Sequence, residues 1–116
     1  MPIDISHVKS MTSEHYCCGA YKCHKEPEHV AVFVRQLPLK AGTALQIGYD
    51  TYKVEKEAFL VFIDLRYNAN FSHPVIYELH NVEDGKVRTI EAEFPIADPK
   101  IEQSLIPHIL PEKEGK

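Results

Sequence analysis

Period-two alternation of apolar and polar residues dominates the middle of the chain. Val30, Val32 and Val34 alternate with Ala31, Phe33 and Arg35 in a run that Pro38 ends, and Leu45, Ile47 and Tyr49 alternate with Ala44, Gln46 and Gly48 in the next. The apolar phase then shifts to Tyr52 and Val54, which a bulge within a single extended strand would explain. Ala58 to Ile63 is continuously apolar and rich in β-branched and aromatic residues, with Asp64 and Arg66 entering only at its end. That pattern predicts a central strand buried on both faces, and Asp64 and Arg66 share a face on which they can pair.

Two more runs flank Asp84-Gly85, the dipeptide that most readily forms a two-residue type I′ turn, because both of its central positions need positive φ. With those two residues as the loop, Glu83 faces Lys86. The antiparallel ladder then pairs Val82 with Val87, His80 with Thr89, Leu79 with Ile90, Tyr77 with Ala92 and Val75 with Phe94. Val75, Tyr77 and Leu79 then share one face with Ile90, Ala92 and Phe94. On the other, Glu78 stands opposite Glu91, Ile76 opposite Glu93, and His80 lies diagonal to Glu91. Opposed like charges are unfavourable across a ladder, so Glu78, His80, Glu91 and Glu93 are expected to attract a cation, share a proton or face water. A hairpin with one solvated face makes water the plain expectation.

Further along, Asp98 as N-cap and Pro99 at the first helical position predict a short helix that Pro107 stops. Near the start, Ser13 to about Lys25 reads as a helix with Thr12 or Ser13 as cap and Pro27 beyond its end. The strand candidates follow one another without room for crossover helices. The expected fold is therefore α+β, with a mostly antiparallel sheet of about five strands in meander order. The N-terminal helix would cover one face, and a short C-terminal helix completes the chain. Its core would hold Val32, Phe33, Leu45, Ile47, Val61, Ile63, Tyr77, Leu79, Ile90 and Phe94.

The 116 residues suit one domain, divided into a Cys/His-rich helical segment over 1–28, the sheet over 29–94 and a Pro-rich tail over 95–116. Thirteen basic against seventeen acidic residues give a net charge of −4, and Lys and Arg are scattered, so no nucleic-acid partner is expected. No apolar run approaches the ~18 residues of a membrane span, and MPIDISHVKS lacks the apolar core of a signal peptide. The chain is expected to be cytoplasmic, with its three cysteines reduced rather than bridged. His108, Ile109 and Leu110 offer a short apolar run to dock on the sheet or on a second copy, which leaves a homo-oligomer open.

Soft metal ligands crowd one stretch: His15, Cys17, Cys18, Cys23, His24 and His29. Such density suggests zinc, although the spacing matches no standard pair of short-spaced ligands. On a helix Cys17 and Cys23 would face opposite ways, while a chain turn at Gly19 would let Cys18, Cys23, His24 and His29 converge. A cysteine near a helix N-terminus, with His15, His24 or His73 as base, would instead make a thiol enzyme. His73, in the connector after the buried strand, is also a loop-borne binding candidate. The reading that follows is a non-catalytic module binding a partner or small ligand, with a divalent metal left open. The alternative is a small thiol- or metal-dependent enzyme.

Overall fold

The apolar run at the middle of the chain becomes the central strand of the protein, seen in a computed structural model that describes residues 2–13, 31–64, 75–93 and 96–109. Among the described residues nine elements follow in order: α1 (Ile5–Ser13), β1 (Ala31–Arg35), β2 (Ala44–Ile47), β3 (Asp50–Lys53), β4 (Ala58–Asp64), β5 (Val75–Asn81), β6 (Val87–Ala92), α2 (Pro99–Gln103) and β7 (Leu105–Ile109). The main sheet is antiparallel, with five strands in the order β6-β5-β4-β1-β7, and β2 and β3 form a separate two-stranded sheet.

This order departs from the expected meander at two places, each with a local cause. The phase shift between Ile47 and Tyr52 is a hairpin rather than a bulge. Gly48 has φ 64° and Tyr49 is not in the left-handed region, as a type II′ turn requires, so Leu45 pairs with Tyr52 on one face. The hairpin leaves the main sheet, and β1 pairs directly with β4, Val32 opposite Ile63. At the other end α2 stops after Gln103, before Pro107 is reached, and β7 joins the free edge of β1 with a register break between Val32 and Phe33. Proline lacks an N–H donor, and an edge strand is where that is tolerated. The expected cap is in place: Asp98 Oδ1 accepts the Lys100 N–H at 2.9 Å, with Pro99 opening the helix.

The β5–β6 hairpin is antiparallel, but its register lies two residues from the expected one. Val75 faces Ala92, Tyr77 faces Ile90, Glu78 faces Thr89 and His80 faces Val87. The loop is four residues, Val82 to Gly85, because the Asn81 N–H donates to the Lys86 carbonyl at 2.8 Å. Only Gly85 takes positive φ, at 74°, so Asp84-Gly85 is not a type I′ turn. Asp84 instead accepts the Lys86 N–H at 3.0 Å, which holds its carboxyl below the usual range. A shift of two preserves the side of every residue, so Tyr77 and Ala92 share a face as expected.

The sheet is apolar on both sides. One face packs Ala58, Leu60, Val75, Tyr77, Leu79 and Ile90 against Leu45, Ile47 and Val54 of the β2–β3 unit and Ile101 of α2. The other gathers Val32, Val34, Phe59, Val61, Ile63 and Ile76 around Val8 of α1. Asp4 caps that helix, accepting the His7 N–H at 3.0 Å, and the Ile3 N–H donates to the Val82 carbonyl at 2.7 Å. Spacing of three and four puts Ile5, Val8 and Thr12 on one side of α1, where Ile5 and Val8 join this cluster and Thr12 is buried. Among the expected core residues Val32, Leu45, Ile47, Val61, Ile63, Tyr77, Leu79 and Ile90 are buried, and Phe33 is half-buried. Phe94, Arg66 and the helix expected over 13–25 lie outside the described residues beyond Ser13.

Candidate functional site

On β5 the side chains alternate Val75, Tyr77, Leu79 to one face and Ile76, Glu78, His80 to the other. The second set looks toward the layer that contains α1. Glu78 retains 4% of its surface and His80 none, so the pair is part of the interior rather than a solvated face. Their closest neighbours along the ladder are apolar on the β4 side, where Val61 is opposite Glu78 and Phe59 opposite His80. Thr12 of α1 is also wholly buried, its hydroxyl satisfied by donation to the Lys9 carbonyl at 3.0 Å.

Burying a carboxylate and an imidazole is unfavourable unless they are paired. They are: His80 Nε2 lies 2.9 Å from Glu78 Oε1. With Glu78 as carboxylate the contact needs a hydrogen on Nε2, and in that tautomer of the uncharged ring Nδ1 carries a lone pair. That nitrogen is buried and has no hydrogen-bond partner. An unsatisfied buried polar group costs about 1 to 3 kcal/mol, and native folds hold few. Two consecutive positions of one strand face thus supply an oriented ring with one nitrogen fixed by a carboxylate and the other unoccupied.

The four residues of the expected acidic face separate into two environments. Glu78 and His80 come together in the interior, while Glu91 and Glu93 are exposed, Glu91 standing opposite Ile76. Among the described residues no group of three or more His, Cys, Asp or Glu side chains converges in a way that would hold a metal ion. Cys18, Cys23, His24, His29 and His73 lie outside the described residues, as do His15 and Cys17. His108 is placed on β7, its Nε2–H donating to the Lys9 carbonyl at 3.0 Å, so it ties α1 to the sheet edge.

Sequence reasoning missed the burial of Glu78 and His80, yet two signals for it were present. β4 reads as buried on both sides, so its neighbour β5 has to be covered on both sides as well. The pattern Asp4, Ile5, Val8, Thr12 is that of a capped amphipathic helix able to provide such cover. No described helix is long and apolar enough to cross a membrane. Comparison of the chain with known family models, with curated proteins and with solved structures gives no match, so the arrangement of Glu78 and His80 has to be read on its own chemistry.

Proposed function

We propose that the chain is a non-catalytic binding module whose binding group is His80, held by Glu78 so that Nδ1 meets a divalent metal ion of the zinc class. One observation carries this reading: a wholly buried imidazole with Nε2 on a carboxylate and Nδ1 unpartnered. Metal-bound histidines characteristically donate their second ring N–H to a carboxylate or carbonyl, which fixes the tautomer and makes the free nitrogen a better ligand. A metal ion is also small enough to reach an interior position and would satisfy the lone pair that the fold leaves unsatisfied.

Zinc sites use four donors, and thiolate and imidazole are the preferred ones. The proposal draws the others from Cys18, Cys23, His24 and His29, the soft ligands concentrated between α1 and β1 in sequence. Metal binding would then couple to folding, since the donors have to lose their protons and assemble together.

The alternative is a small enzyme in which His80, oriented by Glu78, acts as general base for a cysteine. A base has to come within about 3 Å of the proton it takes from a substrate or nucleophile. Complete burial of His80 works against substrate approach and favours the metal. Purified protein, stripped with a chelator and reloaded, tests the choice by elemental analysis and competition titration. The reading expects stoichiometric zinc, about 10- to 100-fold weaker binding in Glu78→Gln, and larger losses in His80→Gln and Cys18→Ser. Equal zinc affinity in wild type and His80→Gln would overturn it. A single hyper-reactive thiol with no retained metal would support the enzyme instead.

A further inference from the structure

On the opposite face of the sheet, where the β3–β4 connector passes over β5 and β6, lies a half-open cavity of about 210 Å3 lined by Val54, Glu55, Lys56, Ala58, Leu79, Asn81 and Arg88. Its floor is apolar: Val54, Ala58 and Leu79 are each almost fully buried members of the core. Its rim is polar and carries two cations and one carboxylate. From these groups we propose that the cavity is a binding site for a small organic monocarboxylate, with Arg88 as the residue that recognises the anion.

Arg88 is exposed, yet it is held from two sides. Its Nη1 donates to the Lys53 carbonyl at 2.9 Å, and the guanidinium carbon stands 5.8 Å from the centroid of the Tyr52 ring. Leu79 is its direct partner across the ladder, so the ladder itself fixes Arg88 at the mouth of the cavity. A guanidinium has five N–H donors in a planar fork, of which the carbonyl takes one. No described carboxylate pairs with it, although Glu55 lines the same cavity. A cation preorganised in this way loses little side-chain freedom when it binds a two-oxygen acceptor.

Size and charge select the ligand class. Cavities for drug-sized molecules run to about 300 to 1,000 Å3, so this one takes a smaller body. Arg88 and Lys56 against Glu55 leave one net positive charge among the lining residues, with Glu83 beside Lys56 just outside them, which suits a monoanion better than a phosphate dianion. Lys56 stands 4.0 Å from Glu83, both side chains largely exposed. Such a pair is weak enough to release the ammonium to a ligand. Asn81, whose side chain hydrogen-bonds Asp84, adds a polar part to the wall, and the apolar floor takes the ligand's hydrocarbon part. The site is separate from the Glu78–His80 pair, which belongs to the other face of β5.

Titration of the full chain with benzoate, and separately with its neutral analogue benzamide, followed by amide chemical shifts, tests the assignment. The expected result is saturable benzoate binding with Kd of the order of millimolar. Shifts should be confined to Val54, Lys56, Ala58, Leu79 and Arg88, and benzamide should bind at least about tenfold more weakly. Arg88→Gln should weaken benzoate about tenfold or more, and Arg88→Lys, which keeps the charge without the fork, should fall between. Lys56→Gln removes an exposed side chain only and should weaken binding several-fold, so the test survives if Arg88 variants lose structure. Equal binding of benzamide, unchanged affinity in both Arg88→Lys and Lys56→Gln, or no saturable shifts would each overturn the proposal.

Discussion

Replacing Glu78 by leucine probes the buried pair with a perturbation whose size follows from its geometry. In the wild-type interior Glu78 and His80 share a hydrogen bond at 2.9 Å, and the second ring nitrogen is unsatisfied. Glu78→Leu removes the bond and leaves both ring nitrogens unsatisfied in a site with no solvent exposure. A hydrogen bond to a charged group contributes about 1.5 to 3 kcal/mol, and a buried polar atom left unsatisfied costs about 1 to 3. About 3 kcal/mol is therefore expected for the metal-free protein, a large part of the ~5 to 15 kcal/mol that holds a domain folded. With a urea m-value near ~2 kcal/mol/M, the midpoint falls by about 1.5 M. Urea unfolding by far-UV circular dichroism in chelator measures this directly, with tyrosine emission as a second probe in a chain that has no tryptophan. The double replacement Glu78→Leu/His80→Leu removes both polar partners and should be less destabilised than Glu78→Leu alone. A single-variant loss under about 0.5 kcal/mol, or a double variant whose loss is the plain sum of the two singles, would refute the interior-pair argument.

Other positions give shorter tests. Burial, reinforced by the charges of Asp64 and Glu102 and only partly offset by a backbone hydrogen bond from Ile96, pushes the Tyr77 hydroxyl well above its ordinary value. The unfolded chain releases that proton above about pH 10 while the folded protein keeps it, so stability holds below pH 10 and falls above it. In Tyr77→Phe the alkaline fall measured by urea midpoints should be shallower. Leu60 is fully buried on β4, and Leu60→Ala should cost about 2 to 5 kcal/mol in the same assay. Gly85 has φ 74°, and a Cβ there would meet Ile3 Cγ2 at 3.4 Å, ordinary contact. Gly85→Ala should therefore cost about 1 to 2 kcal/mol through backbone conformation alone. A Gly85→Asn variant, better suited to that region, should recover part of the loss.

What the sequence made legible follows the periodicity of strands. Alternation told which residues of β5 and β6 share a face, because that depends only on parity. It left the register open by steps of two, since sliding Val75 from Phe94 to Ala92 keeps every apolar residue on its side. The turn had to decide, and an Asp-Gly pair is compatible with a four-residue loop in which only the glycine is left-handed. The Gly48-Tyr49 turn was hidden for a related reason: a shift in apolar phase is produced equally by a bulge and by a chain reversal. β7 was obscured by Pro107, which reads as a stop in sequence and is tolerated on an edge. The burial of Glu78 and His80 was lost because a local pattern assigns charged residues to solvent, whereas their strand face shares a core cluster with Val8 of α1, more than sixty positions away.

The ring of His80 offers the most direct test of the central claim, that a buried carboxylate presents Nδ1 to a metal ion. Long-range proton–nitrogen correlation spectra of uniformly labelled protein report which ring nitrogen carries hydrogen and whether either is bound to metal. The account predicts, without metal, ring hydrogen on Nε2 and none on Nδ1, and on zinc addition a change in the Nδ1 resonance that Glu78→Gln weakens. Hydrogen on Nδ1 in the metal-free protein, or a Nδ1 resonance indifferent to stoichiometric zinc, would contradict it.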